Sequence, residues 1–176
     1  MDFTELIKQR SSCRNFLEQP VEQAKLASII AQAGLAPSAV NGQPWFVHAV
    51  TSGDALNKTK TACTHLGMNR FVKAAPVLLV VTNTVDNIIS NTISKIKDLD
   101  FKSIDIGIFV AYLTLAATKE GLGSCILGWF NEQQLKETLK LKKQEKVRLV
   151  IAIGYPKANG QKEKHRKTLD QICKFY

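Results

Sequence analysis

The segment from Ile104 to Lys119 (IDIGIFVAYLTLAATK) constrains this chain more than any other, because it is apolar nearly all round a helical wheel. Such a helix has to be covered on most sides, either in the core of its own chain or at a subunit interface. Its longest apolar run, Ile106 to Ala117, is interrupted by Gly107, Tyr112 and Thr114 and is too short to span a bilayer. No membrane partner is expected. The rest of the chain must instead provide elements that pack against this helix.

Two Val-rich runs supply them. Pro76 to Thr82 (PVLLVVT) and Val147 to Gly154 (VRLVIAIG) read as buried strands, and Trp45 to Thr51 alternates well enough to be a third. A short first helix is expected around Leu6 and Ile7. A second runs over Val21 to Leu35, with Leu26, Ile29, Ile30 and Ala33 on one stripe, and Gly34 and Ala36-Pro37 end it. Asp54 to Leu66 reads as a further helix, and Asp86 to Leu99 as an exposed or lid helix. Asn131, with Gln134 three residues on, opens a helix that runs to about Leu141. Strands separated by helices, without repeats or low-complexity linkers, make 1–176 a single domain of α+β or α/β class. A chain of 176 residues can bury a real core at that size.

The charge is lopsided. Of the net +9, the last 41 residues from Lys136 hold 12 Lys and Arg against 4 Asp and Glu, a net +8. That density suits an anionic partner, whether nucleic acid, a membrane surface or the phosphates of a small molecule. The basic half lacks interleaved aromatics, helix-turn-helix spacing and an RRM signature, so a nucleic-acid partner is not expected. Cys13, Cys63, Cys125 and Cys173 lie far apart with no CxxC, which argues against a disulfide framework or a zinc site. The N-terminus has acidic residues and no apolar h-region, so a reduced cytoplasmic protein is expected.

Conventional catalytic sets are missing: there is no GxSxG elbow, HExxH, Walker A loop, or GxGxxG after a strand. His48, His65 and His165 have no neighbours arranged as a triad. An enzyme built this way needs a cofactor to carry the chemistry. Three segments stand out: Arg10-Ser11-Ser12-Cys13-Arg14-Asn15-Phe16; Ala36-Pro37-Ser38-Ala39-Val40-Asn41-Gly42-Gln43-Pro44-Trp45; and Gly121-Leu122-Gly123-Ser124-Cys125-Ile126-Leu127-Gly128-Trp129-Phe130. Together with Gly154-Tyr155-Pro156 and Lys164-His165-Arg166, in this order over almost the whole chain, they resemble the nitroreductase family of FMN-dependent oxidoreductases.

The resemblance implies an α+β fold, a central mostly antiparallel sheet flanked by helices, built as an intertwined homodimer with FMN between the subunits. It makes Ile104–Lys119 the central dimer helix. It implies that Arg10, Lys164 and Arg166 bind the FMN phosphate, with Ser12 donating and Ser11 giving backbone contacts. Arg14 would lie beside the flavin pyrimidine edge and stabilise negative charge there. Pro37, Ser38 and Ala39 would reach the flavin from the other subunit, with Asn41 and Gln43 knitting that loop. Asn69 would present an amide to the pyrimidine. Either Arg70 or Lys73 would add a charge, and the spacing does not settle which. A backbone N–H of Leu127 or Gly128 would face flavin N5, and Cys125 reads as a small buried hydrophobe.

The implied activity is hydride transfer from NADH or NADPH through FMN to an electron-poor small molecule such as a nitroaromatic or quinone. Nothing in the sequence reads the ribose, so the two donors stand equal. Flavin-consuming, dehalogenating or azoline-oxidising chemistry stays open, as does an FMN storage or sensor role without turnover. The region where lids vary is Val85 to Ser103. Leu169, Ile172 and Phe175, at intervals of three, give the tail an apolar stripe able to dock.

Overall fold

Four strands pair antiparallel in the order β1-β2-β4-β3: β1 (Trp45–Val50), β2 (Val77–Asn83), β3 (Gly123–Leu127) and β4 (Val147–Gly154). The computed structural model describes residues 1–83, 99–157 and 164–176. Around the sheet lie α1 (Phe3–Gln9), α2 (Gln23–Ala33), α3 (Gly53–Cys63), α4 (Phe101–Lys119) and α5 (Glu132–Leu139). The fold is α+β.

The apolar character of β2 follows from its two covered faces. Val77, Leu79 and Val81 point into a core shared with Leu26 and Ile29 of α2 and with Ile106, Phe109 and Leu113 of α4. Leu78 and Val80 point the other way, toward Leu56, Ala62 and Cys63 of α3 and Leu135 of α5. With helices on both faces, all seven residues of β2 are buried. Trp45 of β1 stacks on Phe109 of α4, ring centroids 4.8 Å apart. Truncating a fully buried anchor such as Leu113 to Ala would cost about 2–5 kcal/mol.

Most sequence boundaries hold within a few residues. The first helix is set by a reciprocal cap: Asp2 accepts from the Glu5 N–H while the Glu5 side chain accepts from the Asp2 N–H. Asn131 likewise accepts from the Gln134 N–H at 3.0 Å. α4 is longer than the apolar run suggested. Its 19 residues would suffice to cross a membrane by length and composition alone, but half of it is buried in the protein as the core helix. The strand β3 was not expected at all. The helix expected over Asp86–Leu99 lies outside the described residues except for Leu99, and the lid region outside them except for its last few positions. The tail stripe does not dock on its own chain: Leu169, Ile172 and Phe175 are 63, 68 and 82 % exposed, and only a single 3-10 turn forms at Leu169–Gln171. An interval of three residues is a helical period, and too little helix forms here to turn it into a face.

Candidate functional site

The segment after α1 lies along the free edge of β3. Ser12 makes a parallel bridge with Ser124, and the Cys13 N–H donates to the Ser124 carbonyl at 2.8 Å. Farther on, Phe16 bridges Pro156, the Leu17 N–H donates to Tyr155 O, and the Lys157 N–H donates to Asn15 O. This approach depends on Gly123, where a Cβ would sit 2.7 Å from both Cys13 Cβ and Sγ. Arg10 ends α1, and its N–H caps the Leu6 carbonyl.

From the other end of the chain, the Lys164 ammonium donates to the Ile7 carbonyl at 2.7 Å, a contact spanning 157 positions. Desolvation, and then the nearby Arg10 and Arg166 charges, hold the Lys164 pKa below the ordinary lysine value. Among the described residues no carboxylate pairs with Arg10, Lys164 or Arg166. Arg10 and Arg166, drawn from opposite ends of the chain, thus lie within electrostatic reach of Lys164, with no carboxylate paired to any of the three among the described residues.

Arg14 lies over the Phe71 ring, 5.9 Å from its centroid, and its charge also reaches Cys125. β3 ends at Leu127, which is buried, and the chain emerges at Gly128. A Cβ on Gly128 would meet nothing within 4 Å, so the backbone there is open to a ligand. Asn69 is joined to this group through its side-chain amide. In a left-handed conformation (φ 49°), its amide donates to Cys63 O at 3.3 Å and to Trp129 O at 3.1 Å, tying the stretch after β3 to the end of α3. Arg70 is engaged with its own turn through Gly67 O, 3.3 Å away.

Pro37, Ser38, Ala39 and Asn41 are not part of this cluster. Their loop feeds β1, at the opposite edge of the sheet, three strand spacings or about 14 Å from β3. The loop closes on itself. The Gln43 N–H donates to Ser38 Oγ at 3.0 Å, and the Gln43 amide donates to Asn41 O and Oδ1. Val40, Asn41 and Gln43 all have positive φ (48°, 51° and 43°); asparagine tolerates this region, whereas Val40 and Gln43 are strained there by about 1–3 kcal/mol each. The Ala39 N–H donates to both carboxylate oxygens of Asp105, each 3.2 Å away on α4.

Several polar groups that sequence reading missed support these elements. Tyr155 donates to Glu22 at 2.7 Å and accepts from Lys25 at 3.0 Å, joining the end of β4 to α2. Arg148 reaches Ser103 Oγ at 3.2 Å and Asp100 at 3.5 Å, fastening the first turn of α4 to β4. The bond from Ser103, with help from the Arg148 charge, holds the Asp100 carboxyl below its ordinary value. The thiols offer no nucleophile here. Burial raises Cys13 and Cys125 and pushes Cys63 up to about 12. Among the described residues no group of His, Cys, Asp and Glu could hold a metal ion.

The chain matches the family model described as the nitroreductase family over residues 7–66 and 58–155. It is 26 % identical to iodotyrosine deiodinase 1 of Rattus norvegicus over 196 aligned positions, covering 97 % of this chain and 68 % of that protein. It is 31 % identical to an FMN reductase [NAD(P)H] of Bacillus subtilis, over 86 % of this chain and 65 % of the relative. A crystal structure of a nitroreductase family protein from Clostridium novyi superposes with a TM-score of 0.80 at 28 % identity, over 93 % of this chain and 89 % of that one.

Proposed function

The chain belongs to the nitroreductase family of flavin-dependent oxidoreductases, and on that premise we propose that it uses FMN to pass hydride from NADH or NADPH to an electron-poor acceptor, a nitroaromatic or a quinone. The observation that carries this reading is the closeness of the Arg10 and Arg166 charges to Lys164, with no counter-ion paired to any of the three among the described residues. The FMN phosphate would offset their mutual repulsion. When bound, FMN supplies the hydride relay that none of the chain's own side chains provides.

The protein's part is binding and electrostatics. Arg10, Lys164 and Arg166 hold the phosphate, with Ser11 and Ser12 beside them on the β3 edge. Arg14, steadied on Phe71, keeps a positive charge where the reduced cofactor carries negative charge. Gly128, just after the buried Leu127, offers open backbone at the end of β3, and Asn69 holds the following residues through Trp129 O. No general base is required for hydride transfer itself.

The site is completed in a homodimer. Within one chain, Pro37, Ser38, Ala39 and Asn41 sit at the wrong edge of the sheet to share a ligand with Arg10. A two-fold axis would bring the loop of one copy to the cation cluster of the other. Apolar surface suited to such an interface is present on α4, where Ile104 and Tyr112 are 50 and 43 % exposed, and on the tail. Four free cysteines fit a reducing, cytoplasmic setting.

Reductive dehalogenation is the second reading, favoured by the likeness to iodotyrosine deiodinase along nearly the whole chain. Steady-state oxidation of NADH and NADPH by FMN-loaded protein separates the two. Acceleration by nitroaromatics or quinones supports the first, and iodide release from an iodinated phenol supports the second. No turnover with any acceptor would leave an FMN-binding protein that is not an enzyme of this kind.

A further inference from the structure

Asp105 is 4 % exposed, yet among the described residues it meets no cation, and the Ala39 N–H is its one hydrogen-bond partner. A buried polar side chain with a single partner is costly to leave without it. Its partner lies immediately before the positive-φ run of Val40, Asn41 and Gln43. All other hydrogen bonds of that loop are internal, so Asp105 is its one polar tether to the rest of the fold among the described residues. A loop closed only on itself would be free to relax Val40, a β-branched residue, out of its positive φ. The helix bearing Asp105 is itself anchored at its first turn by Arg148 through Asp100 and Ser103.

We infer that Asp105 is a positioning residue: it holds the Pro37–Gln43 loop in the shape that meets FMN and so sets the affinity of the site. This rests on the FMN-binding reading above. Because the loop is assigned to the other subunit's cofactor, a carboxylate in one chain governs binding at a site built mainly from its partner.

Two measurements test it. In apo protein, amide hydrogen exchange over residues 37–44 is expected to quicken about tenfold in Asp105→Ala, and to stay within about threefold of wild type in Asp105→Asn, which keeps an acceptor for the Ala39 N–H. The FMN dissociation constant should follow the same order, about tenfold weaker for the first variant and restored by the second. Unchanged exchange or unchanged FMN affinity in Asp105→Ala, or no rescue by Asp105→Asn, overturns the assignment. Should Asp105→Ala not fold, Ala39→Pro removes the donor instead. Ser38, at φ −149° and ψ 155°, already has the extended backbone that a residue before proline takes. Ala39→Pro should also weaken FMN about tenfold, and wild-type affinity there would sink the idea. Wild-type protein that takes up no FMN defeats the cofactor reading, while the exchange experiment still reads on the tether.

Discussion

The Arg10–Asn15 segment is held to β3 and to the residues after β4 by a short ladder of backbone pairings, whereas among the described residues the Pro37–Gln43 loop at the β1 edge is closed on itself and tethered by one carboxylate. In the first region the backbone is relaxed and like charges face one another: burial, then the Arg10 and Arg166 charges, hold the Lys164 pKa down. In the second the side chains are content and the backbone is strained. Both conflicts point the same way. Like-charge repulsion and positive φ persist in a free protein only where the rest of the fold imposes them, and such strain clusters at ligand sites. They should nonetheless respond differently to mutation.

The largest effect is expected from breaking the ladder. Gly123→Val would drive a side chain into Cys13, destabilising the protein by about 3 kcal/mol and lifting the Arg10–Arg14 segment off β3. Urea unfolding measures the first result and FMN titration the second. Stability unchanged from wild type would mean that the segment is not packed as described.

Arg10→Ala tests the charge conflict. FMN binding should weaken by about 1.5–3 kcal/mol, the loss of a charge-assisted contact. Apo protein, in contrast, should become no less stable at neutral pH, because one source of repulsion on Lys164 is gone. The sign follows from the depressed lysine. A pKa lowered on folding penalises the native state fully at pH below the folded value, and the penalty fades as pH rises toward the unfolded value. Wild-type apo protein should therefore gain stability as pH climbs through that alkaline window, and Arg10→Ala should gain less. Thermal melts between neutral pH and the lysine range read both.

The smallest effect probes backbone strain. Val40 is exposed, so Val40→Asn loses little packing, and asparagine tolerates φ near 48°. The apo protein should gain about 0.5–1 kcal/mol. A loss of stability would show that the loop's conformation is not strained at this position.

The sequence made the middle of the fold readable and its edges obscure. β2 and β4 announce themselves because both faces are buried, and α4 because a helix between two layers has no polar side long enough to disguise it. β3 is an edge strand of five residues beginning Gly-Ser-Cys, with none of the β-branched run that marked the others. The cation cluster was legible only through family resemblance, since periodicity cannot join residue 10 to residue 164. The backbone bonds of Asn69 were not legible, because an amide can serve a ligand or a backbone equally well. Asp105 was invisible for a simpler reason: one acid in an apolar helix carries no pattern. The Glu22–Tyr155–Lys25 network likewise joins positions more than a hundred residues apart.

In the proposed dimer, the FMN site is built from the cation cluster of one copy and the strained loop of the other. Equilibrium titration of the purified protein with FMN, followed by flavin fluorescence, tests it most directly. Flavin fluorescence is expected to change to saturation at one FMN per chain, and competing inorganic phosphate to reverse the change. Fluorescence that rises in simple proportion to added FMN, with no break at any ratio, would contradict it.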